Sequence, residues 1–171
     1  VGLVRDDTAV ICGERKEALR AIVNGRVRII RDDYSGNVSS VNGERLLSLL
    51  NQGFVPVLPP MAMSSDGFLN FDGDRASAAV AAELNADELV ILSNVRGLFR
   101  DFSDDASLVT EVPRSQIPQA MNWAEGRMKR KVLGAQEAIE GGVHRVIIGD
   151  GRVSNPVSNA LSGAGTTFLE N

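Results

Sequence analysis

Cysteine and histidine occur once each in this 171-residue chain, as Cys12 and His144. A lone thiol cannot form an internal disulfide and suits a reducing compartment, so a cytoplasmic location is expected. One cysteine and one histidine also leave too few of the usual ligands for a zinc site. No apolar run approaches the length that spans a bilayer. The opening residues, Val1-Gly2-Leu3-Val4-Arg5, lack the basic start and long apolar stretch of a signal peptide. A net charge of -4 and a pI near 5.1 argue against general nucleic-acid binding. The GxxxxGK[ST] pattern of P-loop nucleotidases is absent, and no GxGxxG follows a strand-like run.

The patterns that are present indicate an α/β fold. Leu19–Val23 and Arg26–Ile30 flank Asn24-Gly25, a pair suited to the positive φ angles of a type I′ hairpin turn. Asp32 to Asn37 carry loop chemistry. Asn42 is a candidate N-cap for a helix over Glu44–Asn51, with Leu46, Leu47, Leu49 and Leu50 as its buried face and Gly53 as its stop. Phe54–Leu58 reads as a buried strand ending at Pro59-Pro60, and Ser64–Asn70 as a polar loop. An alanine-rich helix follows over about Arg75–Leu84, then a strand over Glu88–Leu92. The helix Met128–Glu140 stops at Gly141-Gly142, a strand spans Val143–Ile148, a short helix Pro156–Leu161, and a last strand Thr166–Leu169. Helices alternating with apolar strands predict one domain, a three-layer sandwich with a mainly parallel open sheet and an antiparallel hairpin flap. Ligands of such sheets bind beyond the carboxyl ends of the strands.

Three clusters stand at or near such places. In Asn70-Phe71-Asp72-Gly73-Asp74, capping alone would explain Asp74 at a helix start, but Asn70 and Asp72 face the same way if the stretch is extended. Ser93-Asn94-Val95-Arg96-Gly97-Leu98 follows a strand and is either an ordinary exit loop or a nucleotide site. Gly126-Arg127-Met128-Lys129-Arg130-Lys131 puts four cations at a helix start, where the macrodipole disfavours them. A phosphate docked there would offset the repulsion. Asp101, Asp104 and Asp105 read as a solvated acidic loop, Trp123 as a core or edge anchor, His144 as structural, and Gly149-Asp150-Gly151-Arg152 as a turn.

These clusters, in this order and followed by Gly165-Thr166, resemble the amino-acid kinase family over nearly the whole chain. Within it they are most similar to the acetylglutamate kinase branch, in the form acting on 2-aminoadipate or glutamate attached to the small acidic carrier protein LysW. Asp72 and Arg127 favour that form, because acetylglutamate kinases tend to have Asn-x-Asn-x-Asp and Gly-Gly-Met. The resemblance implies ATP-dependent formation of an acyl phosphate on a side-chain carboxylate, in lysine or arginine biosynthesis. It gives Lys131 the transferring phosphoryl group, Asp74 the orientation of lysines, and Asn70 and Asp72 the acyl substrate. Ser93, Asn94, Val95, Gly97, Leu98, Gly126 and Met128 would line the ATP site. Magnesium would be held through the phosphates, without a metal site of protein ligands. Arg127, Lys129 and Arg130 would complement an acidic carrier, and a homodimer is expected.

The family's Lys-x-Gly-Gly segment is not found in the chain. The resemblance implies that the chain is the C-terminal two-thirds of a kinase, inactive by itself. Two other readings stay open: a kinase of free N-acetylglutamate, and a non-catalytic nucleotide-binding module.

Overall fold

A computed structural model describes residues 9–17, 19–23, 26–30, 33–65 and 67–171. The chain divides into two compact units, Val1–Gly73 and Asp74–Asn171.

In the first unit, β1 (Ile11–Arg15), β4 (Gly36–Val41), β5 (Met61–Ser64) and β6 (Gly67–Asn70) form a mixed sheet in the order β4-β1-β5-β6. Its β1–β5 pairing is parallel, and β4 and β6 are antiparallel to their neighbours. The expected hairpin is present as β2 (Leu19–Val23) against β3 (Arg26–Ile30), with Val23 opposite Arg26. Its Asn24-Gly25 turn lies outside the described residues. Asn42 caps α1 (Gly43–Asn51), its Oδ1 accepting from the Arg45 amide at 2.9 Å. Gly53 follows with φ +82°, a left-handed conformation that glycine adopts without a Cβ penalty.

Several expectations for this unit need correction. Leu46 and Leu49 of α1 are buried, but Leu47 and Leu50 are exposed. The buried stripe is therefore narrower than four leucines suggest and consists of Gly43, Leu46 and Leu49, which recur every three residues. Phe54–Leu58 forms no strand and has no ladder partner among the described residues, with Val55 85% and Val57 82% exposed. Ser64–Asn70 is not an irregular loop, since β5 turns there into β6 with Ser64 opposite Gly67. Phe71 is buried, and its ring fills the space that side chains at Gly13 and Gly36 would need.

The second unit is built on a sheet of β7 (Glu88–Ser93), β9 (Arg145–Asp150), β10 (Thr166–Leu169) and β8 (Glu111–Pro113), in that order. The pairings β7–β9 and β10–β8 are parallel, whereas β10 runs antiparallel to β9. The sheet is thus mostly parallel, as expected, with one reversal that the apolar run Thr166–Leu169 did not signal. Val146, Ile147 and Ile148 of β9 are fully buried, which is why that strand reads as a continuous apolar run. The helices are α2 (Gly73–Glu83), α3 (Ile117–Trp123), α4 (Arg127–Glu140) and α5 (Pro156–Leu161). Helix α4 ends as its glycines predict: the Val143 amide reaches back to Ala138 O at 3.0 Å, and Gly142 has φ +94°. Val143 consequently belongs to the helix stop, and β9 starts two residues later than expected. Val132, Ala135, Ala138 and Ile139 of α4 join Ile91, Val112, Val146, Ile148 and Phe168 in one core.

Candidate phosphate site at the start of the long helix

Gly126 precedes α4 with φ +50° and ψ -119°, a conformation suited to glycine, and nothing lies within 4 Å of where a Cβ would stand. Among the described residues no side chain caps the helix, and no acidic residue lies in its first turn. The amides of that turn are therefore presented without the usual side-chain acceptor, in a sequence that supplies cations instead. Arg127, Lys129 and Arg130 are exposed, and Met128 is half-buried and packs on the core.

Lys131, one turn further on, is largely buried and donates to both carboxylate oxygens of Asp74, at 3.0 and 3.2 Å. Helical side chains lean toward the N-terminus, so this ammonium tilts toward the uncapped end. Sequence reasoning grouped Lys131 with Asp74 through the resemblance alone, 57 positions apart; the structure brings them together. It missed Gly134. A Cβ there would stand 3.1 Å from the Asp74 carbonyl, so its absence lets α4 lie directly against the start of α2. Gly141 does the same against Ala82, where a Cβ would meet the alanine's at 2.6 Å. These two contacts, 134 with 74 and 141 with 82, make the helices parallel neighbours. Between them Arg75 and Glu137 form a second inter-helix pair, with Arg75 Nε 2.9 and 3.0 Å from the two carboxylate oxygens. No local pattern could have found it.

The loop after β7 is anchored rather than loose. The Leu98 amide donates to Thr166 Oγ1 at 2.8 Å, and that hydroxyl donates onward to Val109 O at 2.6 Å. Gly97 sits so close that a Cβ would be 2.5 Å from Thr166 Oγ1. The Leu98 side chain is in the core, 1% exposed, while Asn94 is exposed and Ser93 and Val95 are half-exposed. Of the six loop residues, Ser93 to Arg96 are thus the ones whose side chains remain accessible, and Gly97 and Leu98 are buried. The neighbouring turn is fixed to the same place: Ser93 lies opposite Asp150, and the Gly151 amide donates to Ser93 O at 2.7 Å. Arg152 grips Asp150 through Nε and an Nη, at 2.8 and 2.7 Å. These bonds hold the Asp150 carboxyl down at about 2, so it stays ionised at neutral pH.

In the first unit, Asn70 ends β6, exposed, and its amide donates to Tyr34 O at 2.7 Å. Phe71 turns inward while Asn70 and Asp72 keep accessible surface, the alternation expected of an extended stretch. The acidic loop at 101–105 is exposed, and Trp123 packs on the core edge with the Arg100 guanidinium 5.3 Å above its ring. Among the described residues, no three His, Cys, Asp or Glu side chains converge as a metal cage, and no helix is long and apolar enough to cross a membrane.

Comparison with known proteins follows the same lines. The chain is 47% identical over 167 residues to the [LysW]-aminoadipate kinase of Deinococcus radiodurans, covering 97% of the chain and 57% of that protein. It is likewise 47% identical to the [LysW]-aminoadipate kinase of Thermus thermophilus, covering 97% of the chain and 63% of that protein. The chain therefore spans less than two thirds of the length of either relative. Among solved structures, an N-acetylglutamate synthase from Neisseria gonorrhoeae superposes with TM-score 0.78 at 24% identity, over 99% of this chain and 40% of that one. A carbamate kinase from Giardia lamblia gives 0.65 at 22%, over 90% of this chain and 52% of that one. Both structural likenesses concern the fold. The model of the Amino acid kinase family matches residues 9–150, and with it the chain belongs to the amino acid kinase family.

Proposed function

We propose that the chain supplies the phosphate-handling part of an ATP-dependent kinase. Its reaction is formation of an acyl phosphate on the side-chain carboxylate of 2-aminoadipate attached to a LysW-like acidic carrier, with carrier-linked glutamate as a second acceptor. The observation that carries the reading is Lys131, held by Asp74 one turn inside a helix whose start has no cap and no acidic side chain. The names of the relatives support the substrate class.

The acceptor carboxylate is already ionised near neutral pH, so the protein needs no general base. Its task is positioning and charge stabilisation. Lys131 would sit against the oxygens of the transferring phosphoryl group, and Asp74 would fix the ammonium. The first-turn amides of α4 with Gly126 and Met128, and the exit residues Ser93, Asn94, Val95, Gly97 and Leu98, would hold the nucleotide. Asn70 and Asp72 would receive the acyl substrate. Magnesium, bound through phosphate oxygens, would offset their charge. Arg127, Lys129 and Arg130 complement an acidic carrier, and the working form would be a cytoplasmic homodimer in lysine or arginine biosynthesis.

The test compares acceptors in the kinase that carries this chain. Carrier-linked 2-aminoadipate is expected to be phosphorylated with a kcat/KM at least about 100-fold above that for free N-acetylglutamate, the kind of difference set by contacts made to one acceptor alone. Equal or better use of free N-acetylglutamate would overturn the carrier assignment.

A further inference from the structure

We propose that Arg75 and Glu137 are positioning residues that set the register of α4 on α2, and with it the placement of the Lys131 ammonium. The inference rests on the kinase reading and adds two residues to it.

Lys131, Gly134 and Glu137 recur every three residues and so share one face of α4. At its centre, Gly134 brings backbone against the Asp74 carbonyl, as a Cβ distance of only 3.1 Å requires. A glycine contact is close but smooth: no side chain there interlocks with the neighbour. Sliding along the axis is resisted by what stands on either side of it. On the N-terminal side that is the Lys131–Asp74 pair itself, which the reaction must leave free to meet phosphate. On the C-terminal side it is Glu137, which takes Arg75 through Nε on both oxygens and through an Nη at 2.7 Å. Asp74 and Arg75 are adjacent in sequence, so whatever holds Arg75 also holds Asp74.

The signs of the pair carry the argument further. Arg75 stands in the first turn of α2 and Glu137 in the last turn of α4. Each charge opposes the macrodipole of its own helix; a pair selected for helix stability would be reversed. Its side chains are also 40% and 32% exposed, a setting in which an ion pair contributes little to stability. A bidentate contact that is geometrically well made and energetically ill placed points to a role in placement.

The experiment is a double-mutant cycle in the kinase bearing this chain, with Lys131→Ala as control. Arg75→Ala and Glu137→Ala are each expected to lower kcat about tenfold, the scale of sub-ångström misplacement of a reacting group, with nucleotide KM unchanged. The double variant should be no worse than either single one, because each residue acts through the other. Thermal midpoints should stay near wild type, and Glu137→Gln, which keeps an acceptor, should retain more kcat than Glu137→Ala. Additive losses, a raised nucleotide KM in Arg75→Ala alone, or lowered midpoints with kcat intact would overturn the proposal. An active Lys131→Ala control would instead remove the kinase reading beneath it.

Discussion

Replacing Lys131 by alanine is expected to reduce kcat by about 10²–10³-fold, the usual loss when a charge aimed at the transition state is removed. The effect belongs to kcat because charge is redistributed over the transferring group and its leaving oxygen at the moment of transfer, and the ammonium is already fixed by Asp74 at 3.0 and 3.2 Å. Nucleotide KM should change by much less, since the helix start and the β7 exit would contribute most of the ground-state binding. Lys131→Arg should recover only part of the loss. It restores charge, but its planar fork cannot reproduce a compact ammonium gripped by one carboxylate. Stability should fall by about 1 kcal/mol, as expected for breaking an ion pair that retains some exposure. Steady-state kinetics with thermal unfolding distinguishes the two effects. A kcat within tenfold of wild type would assign the chemistry elsewhere.

Gly134→Val is expected to impair both stability and turnover. On helix propensity alone the change is mildly favourable, because glycine is the poorest ordinary residue in a helix interior. The tertiary term has the opposite sign. Even a single Cβ stands 3.1 Å from the Asp74 carbonyl carbon and oxygen, which are backbone and cannot rotate away, and valine adds two methyl groups beyond it. Overpacking of this kind costs about 1–3 kcal/mol, enough to outweigh the propensity gain. The relief available is separation of α4 from α2, which lengthens the Lys131–Asp74 bonds. Turnover should therefore fall by at least about tenfold even at temperatures where the variant is folded. A variant with wild-type or raised thermal midpoint and unchanged kcat would show that close helix contact at residue 134 is not required.

The sequence was most readable where a local rule decided the structure. Asn42 announced its helix because its side chain meets the third amide onward, and Gly141-Gly142 announced a stop because a left-handed residue was needed. It was least readable where the deciding contact was distant. Phe54–Leu58 has the composition of a buried strand, yet a strand also needs a pairing edge, and composition carries no information about that. The reversed direction of β10 depends on its neighbours β9 and β8 and leaves no trace in Thr166–Leu169 itself.

The candidate site divides in the same way. Its cations were conspicuous because they break the dipole rule, and the Asp74 cluster through its resemblance to kinases. Gly134 looked like a local defect in a helix and is explained only by Asp74, sixty residues away along the chain. The Arg75–Glu137 pair was silent for the same reason. Leu98, grouped with a ligand-binding loop, has its side chain in the core and its amide on Thr166, while the accessible side chains of that loop belong to Ser93, Asn94, Val95 and Arg96. A loop exit and a core plug can share one hexapeptide, and only packing separates them.

The central claim is that phosphates dock at the uncapped start of α4 beside the β7 exit. Backbone amide NMR shifts during titration with magnesium-ADP test it most directly. The account predicts saturable shifts concentrated in Gly126–Lys131 and Ser93–Gly97, largely retained in Lys131→Ala. Saturable binding that leaves both segments unshifted and moves amides elsewhere would contradict it.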